Sequence, residues 1–160
     1  MKVHFPVDGK GVKMLGFNRN ARAATEALLV IAYLLISAGL PRSSAIVLAA
    51  LYLFSQPLSS KELIRITGYS KSAISAATRM LESKRLIARC KHGREFAYKP
   101  QTTLGKALLE LHASILERAR RHVAILLKNN NLLHELNLAS IENELNSLLN
   151  KFAGELNERN

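Results

Sequence analysis

Between Ser59 and Pro100 the chain switches from a helical to a two-residue period, and this change constrains it more than any other feature. Ser59 and Glu62 have the spacing of a capping box, in which serine and glutamate each satisfy an orphan amide at a helix start. Leu63, Ile64 and Ile66 then supply the inner side of a short helix, and Gly68 follows where a positive φ is needed. Ser70 caps a second helix from Lys71 to Ser83, in which Ile74, Ala77 and Leu81 share one face at spacings of three and four. Residues 86–90 and 95–99 alternate about the turn Lys91-His92-Gly93-Arg94, the pattern of a β-hairpin. Helix, tight turn, helix and hairpin in this order define a winged helix-turn-helix with a two-stranded wing.

The charge is placed to match. The chain of 160 residues carries a net charge of +11, which favours a polyanionic partner. Residues 42–100 hold eleven basic and three acidic side chains, residues 1–22 are also basic, and residues 129–160 are net acidic. Double-stranded DNA is the expected partner, because each neutralised phosphate releases counterions.

The second helix of the motif has a face suited to that partner. At about 100° per residue, Ser72, Ser75, Ala76, Arg79 and Ser83 lie opposite the apolar stripe. Small side chains let a helix sit deep in the major groove, and an arginine there can make the bidentate contact to guanine. At the hairpin tip, Lys91, His92 and Arg94 form a cationic turn suited to phosphates or to a narrow minor groove.

Outside the motif the chain is strongly helical, so the fold class is mainly α (α+β). Residues 1–19 form a basic arm, with a short strand at Val12–Phe17, that is either solvated or reaches an adjacent groove. Residues 20–40 form an N-terminal helix, apolar all round from Ala27 to Ile36 and closed by Gly39. A second helix from Arg42 to Phe54 opens the DNA-binding region, residues 41–100. Residues 101–160 hold a long helix with the stripe Leu104, Leu108, Leu111, Ile115, Ala119, His122 and Leu126. After Asn129-Asn130-Asn131 comes a heptad seam of Leu138, Ile141, Leu145, Leu148 and Phe152. Burial within the chain and burial against a second copy compete for these surfaces; the second copy is the simpler solution, and the flanking helices are expected to dimerise.

Several classes are disfavoured. The apolar run Ala27–Leu40 spans 14 residues, short of the ~18 that a membrane crossing needs. No apolar segment with a small-residue cleavage site follows the basic start. Cys90 stands alone, so no intramolecular disulfide forms and a reducing, cytoplasmic setting fits; it is expected to be a buried, inert thiol. His4, His92, His112, His122 and His134 show no metal-ligand spacing. No phosphate loop, nucleophile elbow or paired-carboxylate motif points to catalysis, so neither an enzyme nor a cofactor is expected.

The chain also resembles the MarR superfamily of winged-helix transcriptional regulators, most closely its GbsR-like branch. The resemblance lies in Gly39-Leu40-Pro41-Arg42, Ala50-Leu51-Tyr52-Leu53, Gln56-Pro57-Leu58-Ser59, Lys61-Glu62-Leu63, Tyr69-Ser70-Lys71-Ser72-Ala73-Ile74-Ser75, Met80-Leu81-Glu82 and Leu86-Ile87. It covers about residues 40–100; the flanking helices match in kind and position only. It implies a homodimer with one winged helix on each half of a pseudo-palindromic operator. Ser70, Lys71, Ser72, Ser75 and Arg79 would be the DNA-binding positions of the recognition helix, and Arg94 would act at the wing. It also implies a small-molecule effector of unknown identity, near Tyr33 and Tyr52, although these tyrosines read as plain core. The basic arm and the Asn-rich last helix depart from the family pattern.

The expected function is thus a sequence-specific, nucleoid-associated transcriptional regulator. Two alternatives stand beside it: a winged-helix adaptor whose third helix packs on protein, and a non-specific DNA-binding chromatin protein. The basic recognition surface separates the first from the regulator, since an adaptor does not need one.

Overall fold

The computed structural model describes residues 19–54, 56–92, 95–129 and 138–158. The arm with its expected strand at Val12–Phe17, the wing-tip residue Arg94 and residues 130–137 lie outside them. The chain divides into two compact units, residues 1–103 and 104–160.

In the first unit, α1 (Arg19–Ser37) and α2 (Arg42–Leu53) are joined by a tight turn at Gly39. Gly39 has φ 88°, its amide donates to Ile36 O at 2.9 Å, and the Leu40 amide donates to Leu35 O at 3.1 Å. These are the paired bonds of a Schellman motif, with Leu40 and Leu35 both buried beneath it. Pro41 then precedes α2, where its fixed φ is preorganised. Because α2 is apolar all round, it sits at the centre: every residue from Ser44 to Leu51 is buried, and α1, α3, α4 and β3 pack on it.

The helix-turn-helix follows as α3 (Ser60–Thr67) and α4 (Lys71–Ser83). The capping box forms: Ser59 Oγ accepts from the Glu62 amide, and Glu62 Oε2 accepts from the Ser59 amide at 2.7 Å. Gly68 ends α3 at φ 71°, and Ser70 Oγ accepts from the Ala73 amide at 3.2 Å to start α4. Ile74, Ala77 and Leu81 are buried as their spacing predicts. So are Thr67 and Thr78, whose hydroxyls donate to the carbonyls of Leu63 and Ile74 four residues back and so remove the cost of burial.

A second Schellman motif ends α4, with Arg85 in place of glycine. The Arg85 amide donates to Glu82 O at 2.9 Å and the Leu86 amide to Leu81 O at 3.0 Å, with Arg85 at φ 56°. A side chain in the left-handed region crowds its own backbone at a cost of ~1–2 kcal/mol. Glycine carries no such crowding, although its unfolded state has more freedom to lose. Arg85→Gly is therefore expected to stabilise the fold by about 1 kcal/mol, read as a rise in the urea midpoint with unchanged slope.

The two-stranded wing forms as expected, and a short third strand extends its sheet. β2 (Ile87–His92) and β3 (Glu95–Pro100) form the hairpin, and β1 (Leu58–Ser59) adds a third strand in the order β1-β3-β2. Leu58 pairs with Tyr98 and Ser59 with Ala97, so the residue that caps α3 is also tied to the sheet.

The second unit is the pair α5 (Leu104–Asn129) and α6 (Leu138–Glu158), which pack together. Leu111 is buried and Leu108 and Ile115 are half-buried, but Ala119, His122, Ile125 and Leu126 are exposed. On α6, Ile141 and Leu148 are exposed while Leu145 and Phe152 are half-buried. Arg120 forks onto Glu117 with hydrogen bonds of 2.9 and 2.7 Å, and Glu142 of α6 adds to the field favouring the guanidinium. Hydrogen bonding from Arg120 holds the Glu117 carboxyl below its ordinary range. The stabilisation this pair adds is full above that range and is lost as falling pH protonates Glu117.

Candidate nucleic-acid interface

The outward side of α4 forms the candidate surface. Ser70, Lys71, Ser72, Ala76 and Arg79 are exposed. Ser70 Oγ and Ser72 Oγ lie 2.9 Å apart at the helix start, where the macrodipole and free amides favour an anion. Arg79, two turns further along, has no ion-pair partner among the described residues, so its guanidinium is available to a ligand. Ser83 closes the face by donating to Met80 O at 2.8 Å. Ser75 departs from the expectation: it is half-buried, and its carbonyl accepts from Thr78 Oγ1 at 3.2 Å.

Rigid packing holds this face in place. Met80 is partly exposed, and its sulfur accepts from the buried Ser44 hydroxyl of α2 at 3.4 Å. Lys61 of α3 makes an ion pair with Glu95 of β3, linking the helix-turn-helix to the wing, and this raises the Lys61 pKa. The Gln101 amide donates to Leu86 O at 3.0 Å and closes the base of the hairpin.

On the wing, Lys91 is exposed on β2, as a backbone or groove contact requires. His92 lies at the end of β2, paired with Glu95; its side chain and all of Arg94 fall outside the described residues. Cys90 is half-buried rather than buried, with Sγ 3.5 Å from Ala97 O. Tyr33 is 47% exposed and so is not core, whereas the Tyr52 hydroxyl donates to Thr102 O at 3.1 Å.

Arg89 and Phe96, which the sequence reading did not single out, form a stacked pair, with the guanidinium carbon 3.9 Å from the ring centroid. The signal for it was the two-residue alternation, which puts Arg89 and Lys91 on one face with Phe96 and Tyr98 once the register is known. Among the described residues no group of three His, Cys, Asp or Glu side chains could hold a metal ion, and no helix is long and apolar enough to cross a membrane.

The architecture is a winged helix-turn-helix with a small three-stranded antiparallel sheet. Residues 38–95, from the end of α1 to the first residue of β3, match the model of the MarR family. A solved transcriptional regulator aligns with 86% of this chain and 97% of its own, at 18% identity and a TM-score of 0.66. MepR, a transcription regulator of the Staphylococcus aureus multidrug efflux pump MepA, aligns with 82% of this chain and 99% of its own, at 19% identity and a TM-score of 0.43. No curated protein is a significant match.

Proposed function

We propose that the protein is a DNA-binding transcriptional regulator that reads a pseudo-palindromic operator as a homodimer. The observation that carries this reading is the outward face of α4, where Ser72 and Ala76 leave room for a groove wall and Arg79 is unpaired among the described residues. Ser70 and Lys71 at the helix start would bind phosphates and set the register, and Arg79 would read a base. Lys91, with His92 and Arg94 at the tip, would contact the backbone or minor groove beside it. The match to the MarR family over this stretch supports the same role. The Gly39–Arg42 and Tyr69–Ser75 stretches favour the GbsR-like branch.

The flanking helices suit a dimer. On α1, Leu29, Val30, Tyr33 and Leu34 form an exposed apolar stripe opposite the buried Leu28, Ala32 and Leu35. Two copies related by a two-fold axis would set two α4 helices on half-sites about one helical turn apart.

Arg79→Ala tests the base-reading role. Fluorescence anisotropy against duplexes selected from a random pool is expected to show a loss of ~1–3 kcal/mol in specific binding, with discrimination relaxed at one base position. Equal weakening on selected and scrambled duplexes would reduce Arg79 to a phosphate contact.

A further inference from the structure

β2 lies at one edge of the sheet, with β3 on one side of it and, among the described residues, no strand on the other. The register fixes which of its backbone groups look outward. In an antiparallel ladder, directly opposed residues alternate between pairs that exchange hydrogen bonds and pairs that do not. The Gln101 amide donates to Leu86 O at 3.0 Å, one step beyond the Ile87–Pro100 pair, so Leu86 belongs to the bonded set. Counting along β2, Ala88, Cys90 and His92 exchange bonds with β3, whereas Arg89 and Lys91 turn their N–H and C=O groups to the open edge. Pro100, which has no N–H, falls opposite Ile87 in the non-exchanging set, as this phase requires. Among the described residues no backbone bond outside the ladder takes up the amide of Arg89 or Lys91.

The side chains of the same two residues decide what can pair there. Arg89 and Lys91 are both exposed and project to one face, together with Phe96 and Tyr98. Glu95 lies on the other face, engaged by Lys61 of α3, so the hairpin strands carry no carboxylate on the Arg89 face. The Arg89 guanidinium lies 3.9 Å from the Phe96 ring centroid, which holds it along the sheet and keeps it from folding over the edge. A second copy of β2 is a poor occupant: antiparallel pairing about Cys90 would set Arg89 and Lys91 against the same cations, and directly opposed like charges are destabilising. A strand with carboxylates at alternate positions reverses that sign while it takes up the free backbone groups.

We propose that the β2 edge is a docking site for an extended acidic segment of a partner protein, which joins the sheet as a fourth strand. Carboxylates at alternate positions of the segment stand opposite Arg89 and Lys91. The residue between them falls on the Cys90 side, where the half-buried thiol favours a small or apolar side chain. Main-chain bonds supply the attachment, and the two cations supply the selectivity. The inference goes beyond the operator reading and does not depend on it, since register and charge alone define this edge.

The test titrates the isotopically labelled full chain with a blocked peptide, Thr-Glu-Val-Glu-Thr, and follows solvent exchange of each amide by NMR. At saturation, exchange of the Arg89 and Lys91 amides is expected to slow by about tenfold or more, while Ala88 and Cys90, already bonded to β3, change little. By fluorescence anisotropy, two control peptides should bind about tenfold more weakly: Thr-Lys-Val-Lys-Thr, and the glutamate peptide N-methylated at both glutamate amides. Lys91→Glu should reverse the preference between the glutamate and lysine peptides. Because Lys91 is exposed, this variant should melt like the parent.

Unchanged exchange at Arg89 and Lys91 under saturating peptide overturns the proposal. Equal binding of the N-methylated peptide would reduce the contact to charge attraction without an added strand, and equal binding of the lysine peptide would remove the acidic partner. Protection of both amides that grows with protein concentration in the absence of peptide would make the occupant a second copy, and the proposal would fall. None of these outcomes bears on the operator, which Arg79→Ala tests separately.

Discussion

Leu81→Ala is expected to destabilise the winged-helix unit by ~2–5 kcal/mol, among the largest effects open to a single substitution in this chain. Leu81 is fully buried on α4, the helix whose other side is the candidate DNA surface. It also provides the carbonyl that accepts from the Leu86 amide in the turn leading to the wing. The apolar contact that accompanies such a turn joins these same two positions, and both side chains are buried. Truncation removes the transfer free energy of the lost carbons and leaves a cavity that α2 and β2, both packed on α4, can close only in part. Urea denaturation followed by circular dichroism measures the loss as a lower midpoint. DNA affinity should fall with the folded fraction, because α4 and the wing share this support. A midpoint within experimental scatter of the parent would mean that Leu81 is not the core residue its burial indicates.

The second large effect concerns assembly and rests on the proposed homodimer. Val30 is 61% exposed on α1 within one chain, so Val30→Glu places a carboxylate where the single chain already meets solvent. The fold of the isolated chain should be preserved. If the α1 stripe is covered by a second copy, the same change buries a charge with no partner at the interface. Sedimentation should then show a monomer in place of a dimer. Operator affinity should drop by ~10²–10⁴, since the second half-site is no longer bound at high effective concentration. A Val30→Glu protein that still sediments as a dimer, with parental affinity, would remove α1 from the interface. Leu148→Glu on α6 applies the same reasoning to the second unit, where Leu148 is 42% exposed.

Elements governed by neighbours a few residues apart were legible in the sequence. The Ser59–Glu62 capping box, the Gly39 and Gly68 helix ends, the Ser70 cap and the Lys71–Ser83 helix all depend on bonds that close within one or two turns. The period of 3.6 likewise separates the buried Ile74, Ala77 and Leu81 from the exposed Ser72 and Arg79 without knowledge of what packs on either side. The candidate site was readable to the same extent: its helix and most of its outward face, but not the turning of Ser75 toward the packed side.

Other features depend on partners far along the chain. A strand of two residues, Leu58–Ser59, is too short to show alternation and exists because β3 is present to pair with it. The Thr67 and Thr78 side chains read as polar, yet packing buries them once their hydroxyls have found carbonyls in their own helices. Arg85 gives no sign of a left-handed conformation; the requirement that β2 pair with β3 sends the chain through that turn. The apolar helix α1 was expected to bury most of its circumference with the help of a second copy; within one chain Leu28, Ala32 and Leu35 are buried while Leu29, Val30, Tyr33 and Leu34 are exposed. By itself the sequence determined where the helices start and stop and which face of α4 looks outward, because these are short-range matters of capping and period. Only the tertiary structure decided the third strand beside the wing, the Arg89–Phe96 stack and the apolar stripe left open on α1, because each requires segments distant in sequence to meet in space.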